Sequence, residues 1–279
     1  MKHFEIVMAT THLDRHSTRF TRESLEEAAM HLKGRYIPFL HEHDLLRPLG
    51  RTFGGSVRRR DDGEWELVAE VEVLEVGDTT APSHPDLEFR PPAPTDGELR
   101  VIVGDEFLRD PKSRETISEF KQFLGRPVEY QGRRALEPPD LIMLAGVYTL
   151  GRIAEGFLTQ LGADGYQRLK ELIVRTFNTR PRRQRELRID LWFQLQGVEV
   201  ILIQGSPTPE RLDALLSDGL QQLDALLPGI LRDLPDTRRI VAEYGDDGLR
   251  IAYTVGADCL PRVIGRIGPM ARGNPSPKA

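Results

Sequence analysis

The chain has 279 residues, 39% of them hydrophobic and 29% charged, and its formal net charge is −5. That length holds one large or two medium domains, and the acidic balance supplies no large positive field for nucleic acid. The single cysteine, Cys259, excludes an intramolecular disulfide and fits a reducing compartment.

Phe4 to Ala9 reads as a first strand. The charges of Lys2 and Glu5 around its short apolar run do not suit a signal peptide. Asp14 to Thr21 is a polar loop. Thr21 is placed to cap a helix from Arg22 to Lys33, with Leu25, Ala28, Ala29 and Leu32 on one face and Gly34 as its stop. Tyr36 to Leu40 is a short apolar strand, and a turn through Pro48 and Gly50 follows. Arg51 to Arg60 predicts a strand and Asp61-Asp62-Gly63 a hairpin turn. Trp65 to Leu74 predicts a half-exposed strand with Trp65, Leu67, Ala69, Val71 and Val73 on its apolar face. Gly77 to Gly97, with five prolines, reads as a long loop or linker.

Leu99 to Val103 predicts a further strand and Lys112 to Leu124 a helix. Pro138-Pro139 opens a long helical stretch that includes Leu144, Val147, Leu150, Ile153, Phe157 and Leu161. Gly162 to Gly165 breaks it, and Tyr166 to Phe177 resumes it. The longest apolar run, Leu141 to Leu150, is far below the roughly 20 residues of a membrane-crossing helix, and the expected location is cytoplasmic. Leu187, Ile189, Leu191, Phe193 and Leu195 alternate, Gln196-Gly197 turns, and Val198 to Ile203 returns as a buried strand. Thr208-Pro209 starts a helix whose stripe is Leu212, Leu215, Leu216, Leu220, Leu223, Leu226, Leu227 and Leu231. Arg239 to Tyr244 and Leu249 to Val255 form a last hairpin across Asp246-Asp247-Gly248. The two hairpins are expected to join in one antiparallel sheet covered by helices. The tail from about Gly265 reads as disordered.

All seven histidines (His3, His12, His16, His31, His41, His43 and His84) fall in the first 84 residues, so acid–base or metal chemistry based on histidine is confined there. His41-Glu42-His43-Asp44 is the densest patch. If the strand from Tyr36 continues through His43, then His41 and His43 share a face, and a metal would need a third ligand from His12, His16 or His84. The plainer reading is a polar strand end, bonded to its turn and to Arg47 or Arg51. No metal and no cofactor is expected.

Several phrases in order carry a resemblance. They are Thr10-Thr11-His12-Leu13-Asp14-Arg15-His16, the helix around Glu23 to Ala29, Tyr36-Ile37-Pro38-Phe39-Leu40-His41-Glu42-His43-Asp44, Pro48-Leu49-Gly50-Arg51, the Asp62-Gly63 hairpin and the Trp65 strand. Over residues 4 to 75, and as far as 105, the chain resembles the prohead (capsid maturation) protease family of tailed bacteriophages. The resemblance implies a β-rich serine protease fold and puts His43 in the position of the general base. A serine needs such a base, and the base an orienting partner. The family's serine lies in a Ser-small-Gly-Phe context, whereas here the corresponding phrase is Asp86-Leu87-Glu88-Phe89. Ser83 comes three residues early, among prolines, and Ser56 sits on the strand just after the histidine turn.

Elsewhere the structural readings prevail. Cys259 reads as a structural cysteine, the run Arg180, Arg182, Arg183, Arg185 and Arg188 as a solvated connector, and the leucine stripe of 212–231 as core. The phrase Gly156 to Gly162 and the order of elements are similar to the effector-associated constant component family of bacterial conflict systems, from which no functional residue carries over. The expectation is therefore an α+β protein. It has a prohead-protease-like β-rich domain at 1–105, an α+β module at 106–265 and a tail at 266–279. The expected function is non-enzymatic assembly or interaction on a degenerate protease fold, with a protein partner or its own copies, in a phage-related or antiphage system. The alternative is an active serine endopeptidase using His43 with Ser56 or Ser83 on a protein partner or itself.

Overall fold

The computed structural model describes residues 1–12, 19–41, 44–74, 84–91, 100–104, 111–124, 129–131, 140–147, 151–178, 188–195, 197–205 and 208–262. His16, His43, Ser83, Leu187, most of the 77–97 linker, Arg180 to Arg185 and the tail fall outside these residues. The protein is α+β, built on two mixed sheets.

The N-terminal elements are β1 (Lys2–Thr10), α1 (Arg22–Leu32), β2 (Arg35–Leu40), β3 (Pro48–Arg59), β4 (Trp65–Val73) and β5 (Glu88–Phe89). They make a five-stranded sheet of order β1-β4-β3-β2-β5, antiparallel except at β2–β5. Thr21 caps α1 by accepting from the Ser24 amide at 3.2 Å, and Gly34 takes the left-handed φ of 72° that ends it. α1 lays Leu25 and Leu32 on Leu67 and Ala69. Gly55 permits that approach, because a Cβ there would stand 2.6 Å from Leu32 Cδ1.

The strand expected to be half-exposed is instead central, paired on both sides, with Glu66 and Glu72 buried. Alternation reports one apolar face but not whether another layer covers the polar one. β2 ends at Leu40. His41 donates its amide to Arg47 O and Asp44 its amide to His41 O, both at 2.9 Å, which makes a turn.

The second sheet uses β6 (Arg100–Gly104), β7 (Glu129–Gln131), β8 (Asp140–Val147), β9 (Arg188–Leu195), β10 (Val198–Gly205), β11 (Thr237–Gly245), β12 (Gly248–Gly256) and β13 (Pro261–Arg262). Its order is β13-β12-β11-β10-β9-β8-β6-β7. The helices are α2 (Pro111–Leu124), α3 (Ile153–Asn178), α4 (Pro209–Ala214) and α5 (Leu220–Asp233). The two hairpins form as expected across Leu195–Val198 and Gly245–Gly248. They do not join antiparallel, because β10 and β11 run parallel. The helical connection between them makes a crossover, which brings the chain back in the same direction.

Residues 140–147 form a strand where the sequence predicts the start of a long helix. A short apolar run fits either a buried strand or a buried helix, and the place between β6 and β9 decides it. Helix α3 begins only at Ile153, where both Asp224 carboxylate oxygens accept the Ile153 and Ala154 amides at 2.8 and 2.9 Å, a favourable charge at a helix N-terminus. The break expected at 162–165 narrows to Gly162, with φ 68° and ψ 168°.

The stripe of 212–231 is core. Leu212, Leu215, Leu216, Leu220, Leu223 and Leu227 are each at most 1% exposed. A π-helical turn at Leu215–Gly219, between α4 and α5, adds the extra residue per turn that lets so broad a stripe face one way. Helices α2 to α5 cover one face of the second sheet with a largely apolar core that includes Phe120, Phe157, Leu172, Leu191, Phe193 and Val200. The first sheet covers the other face. Tyr36, Leu45, Phe53 and Phe89 meet Ile201, Ile203, Val241, Tyr253, Val255 and Cys259 there. Among the described residues no helix is long and apolar enough to cross a membrane.

Candidate functional site

The seam between the two sheets gathers the chemistry-bearing side chains. Three arginines are buried there among the described residues, and each reaches across it. Arg51, on β3, donates Nε to Glu72 Oε2 at 2.6 Å and an outer nitrogen to the carbonyl of Asp258 at 2.7 Å. Arg188, on β9, donates to Asp44 Oδ1 at 3.0 Å and to Asp190 Oδ2 at 3.1 Å. Arg239, on β11, pairs with Glu199 on β10 and stacks over the Phe89 ring, 4.9 Å from its centroid. Tyr253 adds a hydrogen bond from its hydroxyl to Leu45 O at 2.7 Å.

Burial and pairing pull the acids in different directions. Desolvation raises the Glu72 carboxyl, but the hydrogen bonds from His84 and Arg51 and the Arg51 charge outweigh it and hold it below the ordinary value. Asp190 is fully buried, and desolvation pushes it up to about 6 even though Arg188 opposes the shift. Burial likewise raises Glu199 against the pull of Arg239. Burial pushes the Cys259 thiol up, so it is held neutral and unreactive in the apolar seam.

One histidine belongs to this network. His84 Nε2 lies 3.0 Å from Glu72 Oε1, and its ring packs 4.8 Å from Phe53 and 6.1 Å, edge-on, from Tyr36. The Arg51 guanidinium lies 4.2 Å over the Tyr36 ring. On the same sheet His3 Nε2 is 2.9 Å from Glu70 Oε2, an exposed pair. A carboxylate-oriented imidazole can take up a proton at its other nitrogen. Glu72 is already balanced by Arg51, so this carboxylate joins the layers as well as orienting the ring.

Of the three candidate residues, Ser56 is the one described. Ser56 is exposed on β3, opposite Val68 and just beyond a bulge, and no hydrogen bond among the described residues joins it to a histidine. Asp44, the acid after the candidate base His43, is engaged by Arg188 and, at 3.4 Å, by Arg47. His43 and Ser83 lie outside the described residues. Arg188 is no solvated connector; it is 7% exposed and lies within the seam. No cluster of three or more His, Cys, Asp or Glu side chains able to hold a metal occurs among the described residues.

Sequence reading missed the Arg51–Glu72, Arg188–Asp190 and Arg239–Glu199 pairs. The faint signal was a charge in the middle of strongly apolar strands, as in Ile189-Asp190-Leu191 and Val198-Glu199-Val200. Set against known protein families, curated proteins and solved structures, the chain matches none.

Proposed function

We propose that the chain is a non-enzymatic assembly or interaction protein, built on a prohead-protease-like N-terminal layer that has given up catalysis, in a phage-related or antiphage system. One observation supports this reading most. The acid beside the candidate base, Asp44, is drawn into the Arg188 and Asp190 network that fastens the first sheet to the second, and no hydrogen bond among the described residues joins Ser56 to a histidine. Catalytic serine chemistry needs the opposite arrangement, in which the acid orients an imidazole and the imidazole reaches the hydroxyl.

The competing reading is a serine endopeptidase with His43 as base and Ser56 or Ser83 as nucleophile. The imidazole that a buried carboxylate orients among the described residues is His84, on Glu72, and not the His43 that this reading requires. Labelling the folded protein with a serine-directed fluorophosphonate, read by intact mass, separates the two. The expected result is no adduct. A single adduct lost in Ser56→Ala or Ser83→Ala, and in His43→Ala, would establish the protease instead.

A further inference from the structure

Sheet edges are where one chain can add strands to another, and proteins keep them short, charged or covered. The edges of these two sheets are unequal. β5 and β13 are two residues long and β7 three. β1 is nine residues long, at the outer edge of the five-stranded sheet, and mostly exposed. Phe4, Val7 and Met8 on it are 43%, 48% and 43% exposed. Large apolar side chains on a long edge with no strand beside it among the described residues mark a place for strand addition.

We propose that a second copy of this chain occupies this edge, with β1 pairing antiparallel to β1 of the other copy and Phe4 on the two-fold axis. The proposal rests on reading the chain as an assembly protein and names its partner.

Symmetry and the sequence of the strand favour a second copy in this register. A two-fold axis normal to a continuous sheet keeps each face on one side, so one residue of the strand must oppose its own copy. With Glu5 on the axis, two carboxylates, each paired with the Arg58 of its own copy, would be forced together, a less favourable contact than a ring pair. With Ile6 on the axis, the pairing would run over the bulge between Val7 and Ala9, which interrupts a ladder. With Phe4 on the axis, the paired stretch stays within the regular part of β1. Phe4 then meets Phe4, Lys2 meets Ile6, and each His3 faces a Glu5. In this register the strand opposes itself through one aromatic pair and two imidazole–carboxylate pairs, the imidazole also meeting Glu70 and the carboxylate Arg58 of its own copy. An interface of this size falls in the weak, reversible class.

The test uses the full chain. Sedimentation velocity is expected to show a monomer–dimer equilibrium that moves with concentration, and Phe4→Lys, which places like charges on the axis, is expected to abolish the dimer while circular dichroism stays unchanged. The register is read by cysteine linking, for which Cys259, 1% exposed, is a silent background. Opposed residues lie about 4.5–5.5 Å apart between Cα atoms, inside the reach of a disulfide at about 4.4–6.8 Å. Phe4→Cys, and the double variant His3→Cys with Glu5→Cys, sample the two alternating pair geometries, and at least one is expected to give a linked dimer on mild oxidation. In the rejected registers the two Phe4 positions would be displaced by about 7 or 14 Å along the strand.

A protein monomeric at every concentration, a dimer that survives Phe4→Lys, or linking through Ile6→Cys but through neither of the two cysteine variants would overturn the proposal. Its failure is separable from that of the functional reading. A fluorophosphonate adduct removes the non-enzymatic reading and leaves the pairing intact, whereas a monomer without an adduct removes the pairing alone.

Discussion

The two faces of the eight-stranded sheet solve burial differently. Beneath the helices the core is largely apolar and carries no buried ion pair among the described residues, with Phe157 and Phe193 in edge contact at 6.3 Å and aliphatic side chains filling most of the rest. Across the seam the same strands present Arg188, Asp190, Glu199 and Arg239 among apolar neighbours. The first face gains from area removed from water and is insensitive to which apolar partner it meets. The second depends on partners being correct, because a buried charge is tolerable only beside its opposite. The helical face therefore confers general stability, and the seam determines which layer sits on it and in what position.

The largest expected effects set these faces side by side. Phe157→Ala opens a cavity in the apolar core and is expected to cost about 3–5 kcal/mol in urea unfolding. Arg51→Ala strands Glu72 in the seam and is expected to cost a similar amount, about 3–5 kcal/mol. The comparison sharpens in the double variant Arg51→Met with Glu72→Leu. Replacing both charges by apolar groups is expected to recover most of the loss, whereas no second substitution of that kind rescues Phe157→Ala. A double variant as unstable as Arg51→Ala would show that the link to Asp258 O, not the ion pair, holds the seam.

A smaller effect comes from pH. The Asp190 carboxyl lies at about 6 in the fold against an ordinary 3.8, so the folded state holds its proton more tightly. Its contribution to stability is complete below the ordinary value and declines as pH rises towards 6. The urea midpoint of Asp190→Asn, less that of the parent, is expected to rise between pH 3.8 and 6 and to level off above. Glu72 has the opposite sign: held below its ordinary 4.5, it contributes stability above that pH and loses it on acidification. The smallest effect lies outside both faces. Thr208 accepts from the Arg211 amide at 3.2 Å as a helix cap, and Thr208→Ala is expected to cost about 1 kcal/mol.

The same contrast explains how much the sequence disclosed. The helices from Thr21 and Thr208, the hairpins at Gly63, Gly197 and Gly248, and the leucine stripe were legible because each follows from local geometry and period. The run at 140–147 was not, since its identity as strand depends on neighbours far along the chain. The direction of β11 beside β10 was hidden for the same reason. In the site, the composition of the His41 to Asp44 patch was plain, but its engagement was not: Asp44 meets Arg188 across 144 positions of sequence. A charge on an alternating strand reads as solvent-facing until something is known to cover it, and here the covering layer comes from the other end of the chain.

The link from Arg51 to the carbonyl of Asp258 spans 207 positions, and that from Tyr253 to Leu45 spans 208. During synthesis the acceptor for Arg51 follows it by about 10–40 s at ordinary elongation rates of about 5–20 residues per second. For most of that interval the strands that cover Tyr36, Phe53 and Phe89 have not yet been made. Contacts so distant along the chain close slowly. The nascent protein therefore passes through a period in which its earliest-made layer waits, unfinished, for the ribosome to reach the strands that complete it.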